Sequence, residues 1–393
     1  MERFINMNNF PTIMEISNFK SERTGKVVSV SGTTFHCFEP KELPFKIDYN
    51  PELVKLISKA ASSLGSLSEA GRKLKNPHLL IRPYIRKEAV LSSKIEGTRT
   101  TLSEVFIHEA QKKKKPGDDL GEVMNYVRAL QYGLSKIQES KLSVELIKGM
   151  HKILLKNVRG EDKDPGEFKK AVNWIGTSYD VMEARFVPCA PENVERLMNN
   201  LIDYLNNYDK EDPLFKIAIG HYQFETIHPF RDGNGRLGRL LIILYLCQEK
   251  LISQPLFYIS AFFEKYREDY DERLEKVSTL GELEGWLKFF LTAVNAQAKD
   301  ATTRVGKMEE LREKYGQILS EKSQSNTAIR IMDFLFENPY ITIPEIKERI
   351  KSHYAKAKYN VEILLEAGII EEVPRKAGVK LFVAKEIKEI LEV

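Results

Sequence analysis

One twelve-residue stretch, HPFRDGNGRLGR, holds the side chains of this chain that are best suited to catalysis. His228 at its start is able to accept a proton near neutral pH. Asp232 is able to hold a divalent cation next to phosphate oxygens. The turn that follows, Gly233–Asn234–Gly235, predicts a concave row of backbone N–H groups at the positive end of a new helix. These features predict an anion site beside a base.

Two arginines extend that site. Arg236 and Arg239 are three residues apart in the predicted helix, so both are expected to reach the same polyphosphate. Each of these residues alone is more often structural, but the combination in this order is improbable by chance. A base, a metal ligand, an oxyanion-binding turn and two guanidinium groups are the minimal set for phosphoryl or nucleotidyl transfer to a hydroxyl.

The preceding segment excludes two other phosphate-binding motifs. GNGRLG has the letters of the dinucleotide fingerprint G-x-G-x-x-G, which must follow a buried strand. Here Asp212 and Pro213 are an N-cap and first-turn pair, and the residues after them have helical apolar spacing. The P-loop is excluded because its spacing and its Lys are missing. The sequence therefore predicts a helix, a tight glycine turn and a second helix.

Composition sets the class of protein. The chain has 393 residues, 42% of them hydrophobic and 30% charged, which is typical of a soluble globular protein with two or three domains. Its 60 basic and 56 acidic residues are too balanced to indicate nucleic-acid binding by the whole chain. Three scattered cysteines predict neither a disulfide framework nor a zinc site. No signal peptide or membrane-length apolar run is present, so we expect a cytoplasmic protein.

Apolar spacing and the positions of Pro and Gly predict a mainly α-helical protein in four parts. A β-hairpin is predicted at 170–191, inside the second helical region. The parts are an extended segment at 1–50, a helical region at 51–118 that ends in the charged link KKKKPGDD, a helical core at 119–315 and, after a polar linker at 321–326, a small α+β domain at 326–393.

The last part has the pattern of a winged helix. Three short helices are predicted at 327–337, 343–350 and 354–367, followed by two strands within 368–383. Basic residues of its predicted recognition helix and wing are Lys351, Lys356, Lys358, Arg375, Lys376 and Lys380. However, 326–393 contains 11 basic and 11 acidic residues, a net charge of zero. This balance favours regulation or target docking over DNA binding.

The motif identifies a family resemblance. HPFRDGNGRLGR satisfies every position of H-P-F-x-D-G-N-G-R-x-x-R, the signature of Fic-domain proteins. PGEFKKAVNWIG and RFVPCAPENV resemble the flap hairpin of that family, and FFEKYREDYDERL and WLKFFL resemble the segments after its active site. The resemblance runs from about residue 51 to residue 294, and it implies a Fic-type helical core.

Fic-domain proteins typically transfer AMP from ATP to a Ser, Thr or Tyr hydroxyl of a target protein. By this resemblance, His228 deprotonates the hydroxyl, and Asp232 holds Mg²⁺ or Mn²⁺ between the α and β phosphates. The implied phosphate contacts are Gly233, Asn234 and Gly235 for the α and β oxygens, Arg236 for the β-phosphate and Arg239 for the γ-phosphate. Tyr270 and Leu274, four residues apart on a later helix, are candidates for the adenine pocket, although core packing explains them equally well.

The flap resemblance implies an exposed strand edge beside His228, to which a target segment adds by main-chain pairing. An ordinary surface hairpin is the alternative. The implied flap and target-binding residues are Asn173, Trp174, Ile175, Arg185, Phe186 and Val187.

A second motif predicts inhibition. The segment SSKIEG matches S-x-x-x-E-G, the inhibitory motif of Fic proteins whose regulatory helix precedes the core. Ser92 and Glu96 are four residues apart and share a helix face, and Gly97 ends the helix. By the resemblance, Glu96 pairs with Arg239 and keeps the γ-phosphate from it. Low basal activity is therefore expected.

Other functions stay open at this point. The alternatives within enzymes are a Fic protein that transfers another nucleotide and one that removes AMP. Gly235 argues against phosphate transfer, since phosphate-transferring relatives carry Lys there. A DNA-binding regulator whose core only senses nucleotide is the alternative from another class. The sequence also leaves open which protein is the target, whether the chain modifies itself and whether it forms a homodimer.

Overall fold

The computed structural model describes residues 14–74, 76–111, 117–176, 181–322, 325–374 and 378–392. These residues form fifteen α-helices and five short strands, which confirms the mainly helical class. The helices are α1 (Pro51–Lys73), α2 (Pro77–Ile95), α3 (Leu102–Gln111), α4 (Asp118–Lys136), α5 (Val144–Leu154), α6 (Pro191–Asn207), α7 (Pro213–Ile227), α8 (Asn234–Gln248), α9 (Ser260–Lys265), α10 (Arg267–Leu280), α11 (Leu283–Lys322), α12 (Asn326–Glu337), α13 (Ile343–Arg349), α14 (Tyr354–Glu366) and α15 (Lys385–Glu392). The strands are β1 (Gly25–Ser29), β2 (His36–Pro40), β3 (Tyr340–Thr342), β4 (Glu371–Glu372) and β5 (Leu381–Val383).

Helices α7 and α8 form the centre of the core. Asp212 caps α7, as predicted, because its side chain accepts a hydrogen bond of 2.8 Å from the N–H of Leu214. Pro213 occupies the first turn. Both helices are buried on nearly every side, as is typical of helices inside a core. The turn between them is therefore anchored at both ends.

The first described residues form a hairpin that supports the flap region. Strand β1 pairs antiparallel with β2, with Val27 opposite Phe38. The N–H of Phe38 donates to the carbonyl of Val187 at 2.8 Å. The rings of Phe38 and Phe186 lie 5.7 Å apart. Within the extended segment predicted at 1–50, the hairpin of β1 and β2 therefore packs against the flap.

The C-terminal part contains the predicted elements and two more. Helices α12, α13 and α14 and strands β4 and β5 match the prediction, whereas β3 and α15 were not predicted. Both β3 and β4 pair antiparallel with β5. Arg375 and Lys376 lie outside the described residues. The winged-helix assignment, like the division into four parts, stays a prediction.

This C-terminal part packs on helix α2. Helix α12 lies against α2, and Arg82 of α2 forms an ion pair of 2.7 Å with Glu337 of α12. The side-chain amide of Asn338 donates to the carbonyl of Phe106 in α3 at 2.9 Å. The helix that carries Ser92 is therefore in contact with the C-terminal part at its other end.

The two predicted links fall partly outside the described residues, at 112–116 and 323–324. Helix α11 continues past the predicted core boundary at 315 and ends at Lys322. Among the described helices, none combines the length and the apolar composition needed to span a membrane.

Candidate active site

The turn between α7 and α8 is closed by its own hydrogen bonds. His228 ends α7 in the left-handed region, with φ of 48°, which is uncommon for a residue with a side chain and costs free energy. The side chain of Asn234 accepts a hydrogen bond from the N–H of Phe230 at 2.9 Å and donates one to its carbonyl at 2.8 Å. Gly233, with φ of 76°, precedes α8. The predicted helix, turn and helix are all present.

The imidazole of His228 is arranged as a base. Its Nδ1 lies 3.2 Å from the carbonyl oxygen of Glu225. A carbonyl only accepts hydrogen bonds, so Nδ1 carries the proton and Nε2 has a lone pair. Burial, reinforced by the charge of Lys169, lowers the pKa of His228 to about 4. The ring is therefore neutral at pH 7 and ready to accept a proton.

Asp232 lies half-exposed in the turn. One carboxylate oxygen accepts a hydrogen bond of 2.6 Å from the N–H of Gly233. The other faces Gly160, where an added Cβ would lie 2.5 Å from Oδ2. Because Gly160 also has φ of 87°, only glycine suits this position. The sequence alone did not identify Gly160 as part of the site.

Arg239 binds the inhibitory motif. Its guanidinium is only 1% exposed. Its Nε donates to Oγ of Ser92 at 2.9 Å, and its Nη2 donates to the carbonyl of Ser92 at 3.0 Å and to Oε1 of Glu96 at 2.6 Å. The pairing of Glu96 with Arg239 that the resemblance implied is therefore present. Gly97, with φ of 95°, follows as the predicted end of this helix.

Glu96 occupies the anion-binding end of α8. Its carboxylate lies so close to Gly235 that an added Cβ there would overlap it. Burial alone would raise the pKa of Glu96, but the charge and hydrogen bond of Arg239 outweigh burial, and the net pKa lies below its usual range. The carboxylate is therefore charged at neutral pH. Its side chain remains 36% exposed, so solvent reaches it.

Arg236 points elsewhere. Its guanidinium forms a buried ion pair of 2.6 Å with Glu122 of α4 and lies 3.6 Å from Asp232. Arg236 does not line the cavity that Arg239 lines. Of the two arginines expected to face one polyphosphate, Arg239 lines this cavity and Arg236 does not, and the β-phosphate contact of Arg236 stays a prediction. Glu122 lies 114 positions away from Arg236, which is why the sequence did not reveal the pair.

A cavity of about 250 Å³ joins these groups. His228, Arg239 and Glu96 line it, together with Tyr270 and Leu274 of α10. The Tyr270 hydroxyl forms a hydrogen bond of 2.8 Å with His221, and its ring stacks on that of Phe263. Tyr270 is therefore both a core residue and a cavity residue.

Glu225 also lines the cavity, and the sequence analysis did not single it out. Burial raises its pKa to about 8, so it carries a proton at neutral pH. A glutamate in a helix that is apolar at most of its positions is the signal that would have identified it.

The flap is less exposed than expected. Ile175 and Phe186 pair by main-chain hydrogen bonds of 2.8 and 3.1 Å, while 177–180 lie outside the described residues. Ile175 is 37% exposed, but Val187 is buried, and the N-terminal hairpin covers its carbonyl. The expected exposed edge at Val187 is therefore wrong.

Two other flap side chains have partners within the chain, and Trp174 is half-buried. Arg185 forms a 2.5 Å ion pair with Glu275 and lines the cavity. Asn173 turns inward and donates to the carbonyls of His228 and Phe230. An inward Asn173 contradicts the expectation that it faces a target. Its amide is satisfied by buried main-chain acceptors instead.

Comparison with known proteins agrees with this architecture. Residues 54–135 match the Fic/DOC family N-terminal model, and residues 141–246 match the Fic/DOC family model. Protein adenylyltransferase fic-1 of Caenorhabditis elegans is 31% identical over 122 residues, which cover 30% of this chain and 22% of that protein. Protein adenylyltransferase Fic of Nematostella vectensis is 34% identical over 158 residues, which cover 38% of this chain and 35% of that protein. The matches thus span only a minor part of either relative.

The fold has a solved counterpart. The crystal structure of a Fic family protein from Desulfovibrio desulfuricans G20 has a TM-score of 0.55 and 20% sequence identity, over 86% of this chain and 97% of that chain. The signature turn, the family models and this shared fold agree. The chain contains the N-terminal domain and the Fic domain of the Fic/DOC family.

Proposed function

We propose that this protein transfers AMP from ATP to a Ser, Thr or Tyr hydroxyl of a target protein, and that Glu96 inhibits the transfer. One observation carries the proposal. The Glu96 carboxylate is bound by Arg239 and lies against Gly235, at the positive end of α8. The same guanidinium and helix end suit a phosphate of ATP. His228 lines the same cavity, and the names of the two relatives support the same activity.

ATP lies, in this proposal, with its adenine toward Tyr270 and Leu274 and its phosphates along the start of α8. The γ-phosphate binds Arg239. Asp232 suits Mg²⁺, since that ion commonly takes one or two carboxylates plus substrate phosphates. The described residues hold no cluster of three metal-ligating side chains, which fits an ion that ATP brings with it. Mg²⁺ supplies neutralisation of charge on the phosphates.

The transfer moves one proton and one nucleotidyl group. His228 Nε2 takes the proton from the target hydroxyl as its oxygen bonds to the α-phosphorus. The bond from the α-phosphorus to the bridging oxygen breaks, and pyrophosphate leaves. Base catalysis of this kind contributes about 10²- to 10⁴-fold. The N–H groups at Gly235 and the guanidinium of Arg239 stabilise phosphate charge, which usually contributes more.

Inhibition is competition between two anions. While Glu96 holds Arg239, the γ-phosphate is displaced and the α-phosphorus lies away from the line of attack. A misplacement of about 1 Å costs on the order of 100-fold in rate. Since Glu96 is 36% exposed and Arg239 is only 1% exposed, we assign Glu96 the mobile role in this pair.

In this proposal the flap binds the target protein. The C-terminal part controls the position of Glu96. The exposed side chain of Ile175 marks the place where a target segment would pack on the flap, since the N–H and carbonyl of Ile175 are already paired with Phe186. The packing of α12 on α2 supports a regulatory role for the C-terminal part, since α2 leads to Ser92 and Glu96. Its equal numbers of acidic and basic residues give DNA binding no support.

The test is to incubate the Glu96→Gly protein with ATP, Mg²⁺ and cell lysate, followed by intact-mass and peptide mass spectrometry. We expect the mass increment of one AMP on a Ser, Thr or Tyr of a lysate protein or of the chain itself. His228→Ala in the same background must abolish the increment. A different increment would identify another transferred group, and none with any protein would refute the proposal.

A further inference from the structure

Four consecutive carbonyls around His228 are bound by two residues, Lys169 before the flap and Asn173 at its start. The Lys169 amine donates to the carbonyl of Ile227 at 3.1 Å, and the Lys169 backbone N–H donates to that of Pro229 at 2.8 Å. The Asn173 amide donates to the carbonyls of His228 at 3.1 Å and Phe230 at 2.8 Å. These bonds cover every carbonyl from residue 227 to residue 230.

Lys169 and Asn173 also hold each other. The Lys169 amine donates to Oδ1 of Asn173 at 2.8 Å, which orients the amide so that its N–H groups face the turn. Lys169 is 3% exposed, and burial lowers its pKa to about 8. Its amine lies at the last carbonyl of α7, where the helix dipole favours a cation.

These hydrogen bonds stabilise a strained backbone conformation at His228. His228 has a left-handed backbone, and such conformations persist only where the surroundings over-determine them. The direction of the imidazole depends on that backbone, because the ring has a single further main-chain contact, through Nδ1 to Glu225. A shift of the His228 carbonyl would therefore move Nε2.

We infer that Lys169 and Asn173 are positioning residues that hold the main chain of His228 so that Nε2 faces the reacting hydroxyl. This inference rests on the proposed transferase function. Neither side chain is placed to touch ATP or the target; both act through the backbone of the turn. The N–H of Gly233, just before α8, is bound by Asp232, and Arg239 is bound by Ser92, so both would stay in place without Lys169 and Asn173.

The test uses two variants in the Glu96→Gly background. Asn173→Asp keeps the acceptor for Lys169 but removes both donors to the turn. Lys169→Met removes the amine. We expect kcat to fall about 100-fold in each, as for a misplacement of about 1 Å. We expect the Kd for ATP to change less than about threefold, since its contacts lie on α8.

Lys216→Met is the matched control. Lys216 is also buried and lies on α7 itself, but its amine is over the ring of Tyr245, 5.8 Å from the ring centre, and away from the turn. We expect kcat within about twofold of the parent. Lys169→Arg, which keeps the charge and the donors, must recover part of the loss in Lys169→Met. Equal kcat in Lys169→Met and Lys216→Met, or a loss in ATP binding as large as that in kcat, would overturn the inference.

The pH profile adds a readout that a merely structural role would not change. The charges facing the His228 ring are Lys169 and Glu96, and its remaining partner is the neutral Glu225 carbonyl. Removing the Lys169 cation raises the pKa of His228, so the acid limb of kcat/KM moves to higher pH in Lys169→Met. An acid limb at the same pH in Lys169→Met and in the parent would contradict the effect of the Lys169 charge on His228.

A spectroscopic measurement separates this inference from the proposed function. In ¹⁵N-histidine-labelled protein, we expect His228 in the Nδ1–H form, and a mixture of tautomers in Asn173→Asp. If the Glu96→Gly protein transfers no nucleotide but this change occurs, the proposed function fails and the positioning holds. If transfer occurs and the tautomer is unchanged in Asn173→Asp with full kcat, the positioning fails alone.

Discussion

The two sides of the active-site cavity are held by different kinds of contact. On one side, the turn at His228 is bound through main-chain groups by Asn173 and Asn234. On the other side, Arg239 binds the end of α2 through two hydrogen bonds to Ser92 and an ion pair with Glu96. A nucleotide has no group that replaces the contacts at the turn. In the proposed mechanism, its phosphate takes the place of the Glu96 carboxylate on Arg239.

In the proposed mechanism, this difference separates a prebuilt catalytic turn from an exchangeable inhibitor. Hydrogen bonds to a charged group contribute about 1.5–3 kcal/mol each, which a phosphate is able to match. Buried main-chain bonds have no such substitute, because breaking them leaves polar groups without partners. We therefore expect the same cavity to combine a rigidly held base, His228, with a carboxylate, Glu96, that ATP displaces.

The largest effect is expected from His228→Ala in the Glu96→Gly background. Loss of the base lowers kcat by about 10²- to 10⁴-fold, with the Kd for ATP within about threefold. Radiolabelled AMP incorporation and calorimetry measure the two quantities. His353→Ala, at an exposed histidine of the C-terminal part, is the control and should retain full activity. Full activity in His228→Ala would remove the base from the mechanism.

Glu96→Gly removes the ion pair with Arg239 and leaves the turn at His228 unchanged. We expect the rate of AMP incorporation to rise about 100-fold over the parent, because the γ-phosphate then reaches Arg239. The exposed turn residue Glu139, which pairs with Lys136 at 2.9 Å, provides the control Glu139→Gly. Equal rates for Glu96→Gly and the parent would refute inhibition by this carboxylate.

Gly160→Ala disturbs the turn near Asp232, the predicted metal ligand. The added Cβ would displace the carboxylate of Asp232, so we expect about tenfold weaker activation by Mg²⁺. Gly32→Ala is the control: its φ of 74° imposes similar strain of about 1–2 kcal/mol, but no atom lies within 4 Å of the added group. If both variants need the same Mg²⁺ concentration, Gly160 has no role at Asp232.

The smallest effect concerns pH. The protonated ring is inactive, and the pKa of His228 is lowered to about 4, so the active form persists as the pH falls. Between about pH 8 and pH 6, kcat/KM of Glu96→Gly should change less than twofold. An ordinary histidine, with a pKa near 6.5, would produce about a fourfold loss. A titration near 6.5 would show that the surroundings of His228 differ from those described.

Local signals in the sequence predicted much of this architecture. Asp212 and Pro213 marked the start of α7, and the spacing of Ser92 and Glu96 indicated a shared helix face. Caps, turns and helical periods depend on neighbouring residues, so they are visible in one chain. The contact between Glu96 and Arg239 came instead from the family motifs.

Contacts that depend on packing were not predictable in this way. Arg236 was expected at a phosphate, but its partner Glu122 comes from α4. Lys169 is one of two adjacent lysines, a pattern typical of a solvated surface, yet it is buried under the turn. Asn173 was assigned to a target through the flap resemblance, and its amide instead binds the turn. Burial is a property of the assembled core, and a single sequence does not display it.

One measurement tests the central claim, that Glu96 and the γ-phosphate compete for Arg239. It is a crystal structure of the Glu96→Gly protein with Mg²⁺ and a non-hydrolysable ATP analogue. We predict the γ-phosphate within hydrogen-bond distance of Arg239 and the α-phosphorus facing Nε2 of His228. A triphosphate bound away from Arg239, or an imidazole turned away from the α-phosphorus, would contradict the account.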